Sequence, residues 1–181
     1  YCRTTAFTAQ DWARFTTTVP YLQRVHDLFS ERMPDRHVPQ HGIAARTEST
    51  WVIPETCYTT ITVNRNWQTA VHTDKGDLKA GYGNMGVIGN DAYTGGLFVY
   101  PRYRIAADIR RGDLIINDVH EWHGNTKIVP LPGREEDYER ISIVHYYREF
   151  MYQCGKPSEE AERQLLFYLQ DPVRNSYARP A

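Results

Sequence analysis

The period of the hydrophobic pattern changes twice along the chain and divides it into three parts. The N-terminal part covers about residues 1–50, and its first 35 residues carry apolar side chains at helical spacing. Residues 50–150 consist of short β-branched and aromatic runs separated by glycine and proline turns, which predicts roughly seven strands. A helical period returns at about residues 157–171. The pattern therefore predicts a mainly β jelly-roll (cupin-like) core flanked by N-terminal and C-terminal helices.

Proline positions set the expected helix boundaries. Pro20 suits the first turn of a helix, which we expect to end at Pro34. The polar stretch 35–50 is predicted to be a loop. The C-terminal helix should end at Asp171–Pro172. The expected apolar face of that helix consists of Ala161, Leu165, Tyr168 and Leu169.

The composition is that of an ordinary globular protein. The 181 residues include 41% hydrophobic residues and have a formal net charge of −1, which predicts one domain over residues 1–181. A net charge near zero gives no bulk attraction to nucleic acid, although a local basic groove is compatible with it. The chain has no apolar run of membrane-spanning length and no signal-peptide pattern. We therefore expect an intracellular protein, in the cytoplasm or nucleus, without a membrane partner.

Cysteines and N-terminal histidines add little at this stage. The cysteines are odd in number and far apart, which fits neither a disulfide framework nor a zinc finger and favours a reducing compartment: Cys2, Cys57 and Cys154. Three histidines lack ligand spacing and are interpreted as structural or surface residues: His26, His37 and His41.

His72 and Asp74 are the first candidate metal ligands. Because they are two residues apart on an extended segment, their side chains point to the same side. A third ligand must come from a distant strand, and either His120 or His123 can supply it. Two histidines and a carboxylate suit Fe(II) with open positions for a co-substrate and O₂, whereas Zn²⁺ is the rival metal. Taken alone, the tripeptide His72–Thr73–Asp74 is also compatible with a hydrogen-bonded pair on the surface.

The order of motifs along the chain resembles that of a known enzyme family. AVHTDKGDL is followed by YTGGLFVYP, RRGDLIINDVHEWHGN and ERISIVHYYRE. This order is similar to that of the 2-oxoglutarate and Fe(II)-dependent dioxygenases, and more narrowly to the Tet/JBP group. The resemblance covers about Thr59 to Arg148. It implies a double-stranded β-helix core and oxidation of the 5-methyl group of pyrimidines in DNA.

The resemblance also implies roles for individual residues around the metal. The distal ligand is expected at the spacing of His123, and His120 then becomes a supporting group. Arg140 and Ser142 are expected to hold the C5 carboxylate of 2-oxoglutarate. Their own pattern agrees, because they are two apart on one strand face and an arginine offers a carboxylate two parallel hydrogen bonds. The alternative is an edge-strand arginine that faces water.

Three further residues are expected to face the substrate. In the family, the position of Asp77 contacts the base, with an Asn in Tet enzymes and an Asp in JBP-like members. Tyr146 and Arg148 resemble the family's substrate-facing pair, although Tet enzymes have a His at the position of Arg148. A base that is oxidised in this way must be flipped out of the duplex.

Two basic residues outside these motifs are candidates for phosphate contacts. Arg102 and Arg104 flank a tyrosine directly after a strand, and ordinary solvated turns explain them equally well. Thr60, Thr62 and Asn64 form the polar face of an alternating strand. We interpret this face as a solvated side of the strand rather than as part of the site.

The leading hypothesis is a dioxygenase that oxidises 5-methylcytosine or thymine in DNA. It requires Fe(II), 2-oxoglutarate and O₂, with ascorbate as the expected reductant and no obligate protein partner. A second hypothesis keeps the chemistry but assigns a small molecule, free nucleoside or protein side chain as the substrate. A third is a non-catalytic binding module of the same fold, against which the intact set of candidate ligands argues.

Overall fold

A computed structural model describes residues 2–170 of the chain. The N-terminal part forms four helices: α1 (Ala6–Gln10), α2 (Trp12–Thr16), α3 (Val19–Arg32) and α4 (Pro34–Ala44). The end of α3 agrees with the proline rule. Pro34 then occupies the first position of the next helix, where its missing N–H costs nothing.

The prediction of a loop over residues 35–50 was wrong, because α4 occupies most of that stretch. The buried positions of α4 are His37, Gln40 and Ala44, which follow helical spacing. Two of these three side chains are polar, so the core-facing side of the helix has no apolar period that a sequence pattern could detect.

Within residues 2–170, nine strands form the core, and all of their pairings are antiparallel. They are β1 (Thr60–Arg65), β2 (Gly83–Gly89), β3 (Tyr93–Gly95), β4 (Phe98–Tyr100), β5 (Ile105–Ala107), β6 (Leu114–Asn117), β7 (Gly124–Asn125), β8 (Ile128–Pro130) and β9 (Arg140–Tyr146). One four-stranded sheet has the order β1-β9-β2-β6. Two smaller sheets have the orders β3-β8 and β5-β4-β7.

Strand β9 lies between β1 and β2 in the large sheet. The N-terminal helices, called the helical layer below, cover one face of this sheet, and the other face is its inner face. In the register Val87–Ser142 and Met85–Val144, β2 lies along one edge of β9, and β1 lies along the other. His145 is buried towards the helices, against the rings of Tyr21 and Tyr58 at 5.5 and 5.6 Å. Because side chains alternate across a strand, Ser142 and its same-face neighbours point to the opposite side.

The main hydrophobic core lies between the helices and the outer face of the large sheet. Its most deeply buried members include Leu22 and Phe29 of α3 together with Tyr58 and Tyr147. This arrangement explains why short helices are stable here, since most of their stability comes from packing an apolar face. The helices thus cover the outer face of the sheet, and its inner face remains available for a functional site.

The N-terminal segment is joined covalently to the segment just before the C-terminal helix, contrary to the sequence-based interpretation of the cysteines. Cys2 and Cys154 form a disulfide with a Cα–Cα distance of 5.9 Å, and Cys57 is the free, buried cysteine. The carboxylate of Glu160 adds to this junction by accepting hydrogen bonds from the backbone N–H groups of Cys2 and Gly155 at 2.6 and 2.8 Å. Sequence spacing missed the pair because the two cysteines meet only after the whole core has folded.

The C-terminal helix α5 spans Pro157–Gln170, and its predicted end at Asp171–Pro172 lies outside the described residues. The prediction for its apolar face was wrong, because Leu165 and Leu169 are 60% and 58% exposed. The buried residue of α5 is instead Glu160. Within residues 2–170 the structure contains no helix of sufficient length and hydrophobicity to span a membrane.

Candidate active site

A cavity of about 210 Å³ opens on the inner face of the large sheet. It contains both the candidate metal ligands and the candidate 2-oxoglutarate residues. Its walls combine polar residues with a few apolar ones: Thr62, Asn64, Thr69, His72, Asp74, Asp77, Met85, Phe98, Asn117, Val119, His123, Gly124, Asn125, Arg140, Ser142, Val144 and Tyr146. A mixed lining of this kind is typical of a small-molecule site.

The structure brings His72, Asp74 and His123 together at one end of this cavity. The Asp74 carboxylate has one oxygen 3.2 Å from His72 Nε2 and the other 3.6 Å from His123 Nε2. One ligand atom from each residue lies within 4.8 Å of the others. Neighbouring ligands on an ion with bonds of about 2.1 Å lie ~3 Å apart, so small side-chain adjustments suffice to hold a metal.

Hydrogen bonds orient both imidazoles for metal binding. His72 Nδ1 lies 2.8 Å from the carbonyl oxygen of Ala70, and His123 Nδ1 lies 2.8 Å from that of Glu121. A carbonyl only accepts hydrogen bonds, so Nδ1 carries the proton in each ring and the Nε2 lone pair is free. Burial lowers the pKa of His123 and thereby favours its neutral form. The donor set therefore suits a divalent cation, with Fe(II) and Zn²⁺ both chemically compatible.

His120 lies outside this group of three residues. Its Nδ1 contacts the Asp118 carboxylate at 3.1 Å, and its Nε2 lies 3.2 Å from the carbonyl oxygen of Asp77. His120 thus connects the segment before His123 to the backbone of a candidate substrate residue. This contact matches the expectation of a supporting group rather than a ligand.

Arg140 places an unpaired cation in the same cavity. It is 3% exposed, and its Nε and Nη2 atoms are buried without a hydrogen-bond partner. Burial lowers its pKa, an effect that the neighbouring Tyr93 hydroxyl opposes. Because a guanidinium keeps its charge when buried, these two N–H groups require an acceptor that the protein itself does not supply. A carboxylate is the group that two parallel N–H donors fit best.

The residues around Arg140 fix its position. Its backbone N–H donates to Asn66 Oδ1 at 2.7 Å, and its carbonyl accepts from the N–H of Asn66 at 2.8 Å. Gly96 has a φ of +68°, and a Cβ there would lie 3.2 Å from Arg140 Cδ. A side chain at Gly96 would therefore be strained and would also crowd the arginine. Ser142, 5% exposed, follows on the same face of β9.

Asp77 is buried at the side of the cavity next to Asp74. Its segment pairs with that of Arg148, and its backbone N–H lies 3.2 Å from the carbonyl oxygen of Asp74. Burial and the Asp74 charge raise the pKa of the Asp77 carboxyl to about 8, whereas Arg148 lowers it. Tyr146 lines the same cavity, but the exposed Arg148 does not.

Arg102 and Arg104 are exposed and lie outside the cavity. Arg102 Nη1 is 3.4 Å from both Glu121 carboxylate oxygens, and its guanidinium lies 5.6 Å from the Tyr103 ring centroid. Glu121 lies two residues before the candidate ligand His123, so this ion pair lies beside the site. Arg104 adopts a left-handed conformation with a φ of 56° at the end of the same turn.

The interpretation of the polar face of β1 as solvated was wrong in part. Thr62 and Asn64 line the cavity, and Tyr146 Oη lies 3.4 Å from Thr62 Oγ1. The alternating pattern of β1 was a correct signal for two different faces. It could not reveal that the polar face lies beside β9 and faces the site.

Comparisons with known proteins agree with this geometry. Residues 1–149 match the model of the Tet/JBP family, described as the oxygenase domain of the 2OGFeDO superfamily. The match extends the expected range of about Thr59–Arg148 back through the N-terminal helices. Membership of this superfamily implies Fe(II) and 2-oxoglutarate.

Similar curated proteins come from Leishmania and Trypanosoma species. The chain is 35% identical over 147 residues to the bifunctional helicase and thymine dioxygenase JBP2 of Leishmania braziliensis, covering 81% of this chain and 13% of that protein. It is 31% identical over 172 residues to thymine dioxygenase JBP1 of the same species, covering 94% of this chain and 20% of that protein. The chain thus spans only a small part of these relatives.

A solved structure establishes the fold. NgTET1 in complex with 5mC DNA superposes with a TM-score of 0.62 and 14% sequence identity, covering 88% of this chain and 62% of that chain. The double-stranded β-helix with flanking helices, which the sequence predicted, is confirmed. With the family model matching most of its length, the chain belongs to the Tet/JBP family of 2-oxoglutarate and Fe(II)-dependent oxygenases.

Proposed function

We propose that this chain is a dioxygenase domain that hydroxylates the 5-methyl group of a thymine flipped out of DNA. The observation that carries the proposal is one cavity that contains both the His72–Asp74–His123 cluster and the buried, unpaired Arg140. The first suits a metal with open positions, and the second suits a dicarboxylate. We propose that residues 1–181 form a single domain, because within the described residues 2–170 the main hydrophobic core joins the helices to the sheet.

Iron is held by His72, Asp74 and His123 in this proposal. Bound there, the metal would supply the oxidation chemistry of the superfamily, in which 2-oxoglutarate and O₂ are converted to succinate and CO₂ while one oxygen atom is added to the substrate methyl group. The protein's contribution is geometric: Nδ1–H groups bonded to backbone carbonyls hold both rings with Nε2 towards Asp74. The ring of Phe98 stacks on His123 at 5.4 Å between centroids and covers that side of the site.

Arg140 and Ser142 hold the C5 carboxylate of 2-oxoglutarate. Nε and Nη2 of Arg140 donate two parallel hydrogen bonds, and the Ser142 hydroxyl on the same strand face donates a third. Binding the carboxylate satisfies donors that are otherwise buried and unpaired, so the site gains the full benefit of the charge-assisted pair. Met85 and Val144 contribute apolar surface to the lining of the same cavity.

Asp77 is the proposed reader of the base, with Tyr146 beside it and Arg148 behind it. Thymine carries an N–H at position 3 of its pairing edge, which the Asp77 carboxyl accepts once it is ionised. A cation bound at Asp74 favours that ionisation, because it offsets the Asp74 charge that raises the pKa of Asp77. Cytosine carries a lone pair at that position and an amino group next to it, which an amide side chain suits better. An aspartate here therefore supports thymine over 5-methylcytosine, in agreement with the named activity of the relatives.

Arg102 and Arg104 are the proposed phosphate contacts at the mouth of the site. Arg102 is already paired with Glu121, so a phosphate would compete with or share that ion pair. Backbone contacts of this type position the nucleic acid without reading its sequence. Because such contacts release counterions, turnover of DNA should fall steeply as salt rises.

Nucleoside mass spectrometry tests this function directly. The protein is incubated with Fe(II), 2-oxoglutarate, O₂ and ascorbate as reductant. Three substrates are supplied separately: duplex DNA whose only 5-methyl base is thymine, the same duplex in which 5-methylcytosine replaces cytosine, and free thymidine. We expect a gain of one oxygen on thymine in DNA, dependent on 2-oxoglutarate. The His123→Ala variant is the matched inactive control.

Other outcomes reject the proposal in distinguishable ways. Oxidation of free thymidine but not of DNA would assign the site to a small nucleoside. Oxidation of 5-methylcytosine with no oxidation of thymine would overturn the substrate while keeping the oxygenase. Absence of succinate formation from folded, iron-loaded protein with any substrate would leave only a binding module.

A further inference from the structure

A second group of potential metal ligands lies on the opposite side of the large sheet. His26 of α3, His37 of α4 and Cys57, just before β1, each offer one ligand atom within 4.8 Å of the others. His37 and Cys57 are buried at 7% and 0% exposure. No ligand spacing of the two histidines is visible in the sequence, because they come from different helices.

The separation of the two imidazoles fits a tetrahedral ion. His37 Nε2 lies 3.4 Å from His26 Nδ1. Two nitrogens bound to Zn²⁺ at about 2.0–2.1 Å in a tetrahedral arrangement lie about 3.3–3.4 Å apart, and a thiolate sulfur lies about 3.6 Å from each. The same 3.4 Å is longer than a good N–H···N hydrogen bond. The observed spacing is therefore closer to that of two ligands than to that of a donor and an acceptor.

Burial raises the pKa of the free Cys57 thiol to about 12, and the contact with Gln40 opposes that effect. The side-chain amide of Gln40 lies 3.4 Å from Cys57 Sγ and donates at 3.1 Å to its carbonyl oxygen. Gln40 is itself 1% exposed and is held by the backbone N–H of Tyr82, which donates to Gln40 Oε1 at 3.1 Å. An amide that is held in place and donates to a cysteine sulfur orients that ligand and stabilises its negative charge.

We propose that His26, His37 and Cys57 form a Zn²⁺ site that joins α3 and α4 to the start of β1. Thiolate and imidazole ligands together favour zinc over the oxygen-preferring cations. The fourth position is available to water or to His41, whose exposed ring stacks on that of His37 at 5.3 Å between centroids.

One contact competes with this arrangement and makes the proposal testable. The backbone N–H of Cys57 donates to His26 Nδ1 at 3.2 Å. A neutral imidazole nitrogen has a single lone pair, so a metal at His26 Nδ1 must displace this bond. The free energy of Zn²⁺ binding therefore has to exceed that of one long backbone hydrogen bond. A site with a thiolate ligand meets this condition readily.

The location indicates a structural role. Tyr58, adjacent to Cys57, is fully buried and packs against His26 and His145. These contacts lie between the helices and the outer face of the sheet, whereas the candidate active site lies on the inner face. An ion at this point connects two helices to the strand that borders the cavity. Its loss should loosen the helical layer without removing a ligand of the iron.

Cobalt substitution separates this site from the candidate iron site. Tag-free Asp74→Ala protein, prepared without thiol reductants, is titrated with Co²⁺ while the near-ultraviolet absorption is recorded. Only a thiolate ligand gives an intense charge-transfer band there, and Cys57 is the one free cysteine. We expect a band that saturates at one Co²⁺ per chain and is abolished by one equivalent of Zn²⁺.

Matched variants in the same background assign the band. Cys57→Ser should eliminate it, and His37→Gln should weaken Co²⁺ binding at least about tenfold. His120→Ala, which alters a histidine on the other side of the sheet, should leave the band and the affinity unchanged. Zn²⁺ at a free concentration of 100 times its Kd should raise the Tm of Asp74→Ala by at least about 5 °C, and should not raise that of Asp74→Ala/Cys57→Ser.

Two results would overturn the proposal. The first is the absence of a charge-transfer band in folded Asp74→Ala protein at saturating Co²⁺. The second is a band that persists in Asp74→Ala/Cys57→Ser. If the serine variant does not fold, as judged by circular dichroism, the His37→Gln variant decides, and unchanged Co²⁺ affinity in it counts against the site.

Discussion

His72 and His123 form a directly hydrogen-bonded antiparallel pair. The backbone N–H of each donates to the carbonyl of the other, at 2.8 and 2.9 Å. The two strongest candidate ligands are therefore fixed relative to each other by the backbone, before any metal binds. Asp74 is fixed in the same way, because its N–H donates to the carbonyl of Val119 at 2.9 Å. A site built on such contacts keeps its geometry when a single side chain is changed.

The first prediction separates the two histidines of the NDVHEWHGNT segment. His123→Ala should remove a ligand and lower Fe(II) affinity at least about 100-fold, with loss of succinate formation. His120→Ala removes contacts to the Asp118 carboxylate and the Asp77 carbonyl but no ligand, and should lower Fe(II) affinity less than about tenfold. Iron content after dialysis and circular dichroism are the measurements. Equal iron retention by both variants would contradict the assignment.

The second prediction concerns the pair on β9 that faces the cavity. Arg140→Lys keeps the charge but loses the two parallel donors, so the KM for 2-oxoglutarate should rise about 10- to 100-fold. Ser142→Ala loses a single hydrogen bond to the carboxylate while the charge and both donors of Arg140 remain, so the KM should rise about tenfold. Succinate formation against 2-oxoglutarate concentration measures both. An unchanged KM in Arg140→Lys would show that the co-substrate carboxylate binds elsewhere.

The third prediction concerns base selection. Asp77→Asn replaces an acceptor by a side chain that both donates and accepts, which suits the pairing edge of cytosine. The ratio of kcat/KM for thymine over 5-methylcytosine should fall about tenfold or more, which corresponds to one hydrogen bond gained and one lost. Competition between the two bases in one duplex gives this ratio directly. A parallel loss of both activities would assign Asp77 a structural role instead.

The candidate ligands could be predicted because their signal is local. His72 and Asp74 are two residues apart, and the motif spacing distinguished His123 from its neighbour His120. The contribution of Thr62 and Asn64 could not be predicted in the same way. An alternating strand shows which side chains share a face, but not which face the neighbouring strands enclose.

Other features depend on contacts between distant segments and left no local signal. The core-facing positions of α4 are occupied by His37 and Gln40, which resemble the surface in a hydropathy pattern. The pairing of Cys2 with Cys154 depends on the folded core bringing these two distant segments together. In both cases, the pattern within one segment does not show which distant residues that segment will contact.

The fourth prediction is a pH dependence of stability that arises from His145. Burial lowers the pKa of His145 to about 4, whereas an unfolded histidine has a pKa of about 6.5. As the pH falls from 7 to 5, the unfolded chain binds a proton that the folded chain does not, so the free energy of unfolding should fall by about 2 kcal/mol from this group. The stabilisation is complete above pH 6.5 and is lost towards pH 4.

His145→Asn tests this dependence, because its amide can still donate to the carbonyl of Asn84 as the imidazole Nδ1 does at 2.8 Å. Urea unfolding at pH 7 and pH 5 in the presence of a chelator should show that the variant loses about 2 kcal/mol less between the two pH values. His41→Asn, an exposed histidine, is the control and should behave like the parent. An identical pH dependence in His145→Asn would mean that this imidazole protonates without unfolding.

The last prediction concerns the covalent link between Cys2 and Cys154. Denatured, unreduced protein should contain one titratable thiol per chain, from Cys57, and three after reduction. The disulfide closes most of the chain into one loop and so restricts the unfolded state, which favours the folded state by about 2–4 kcal/mol. Cys2→Ser should therefore lower the Tm by roughly 5–10 °C.

Adding a reductant should lower the Tm of the parent by the same amount and leave that of Cys2→Ser unchanged. Three thiols in the unreduced parent would contradict the link, and a Cys2→Ser variant as stable as the parent would mean that the contacts of Glu160 hold this junction without it.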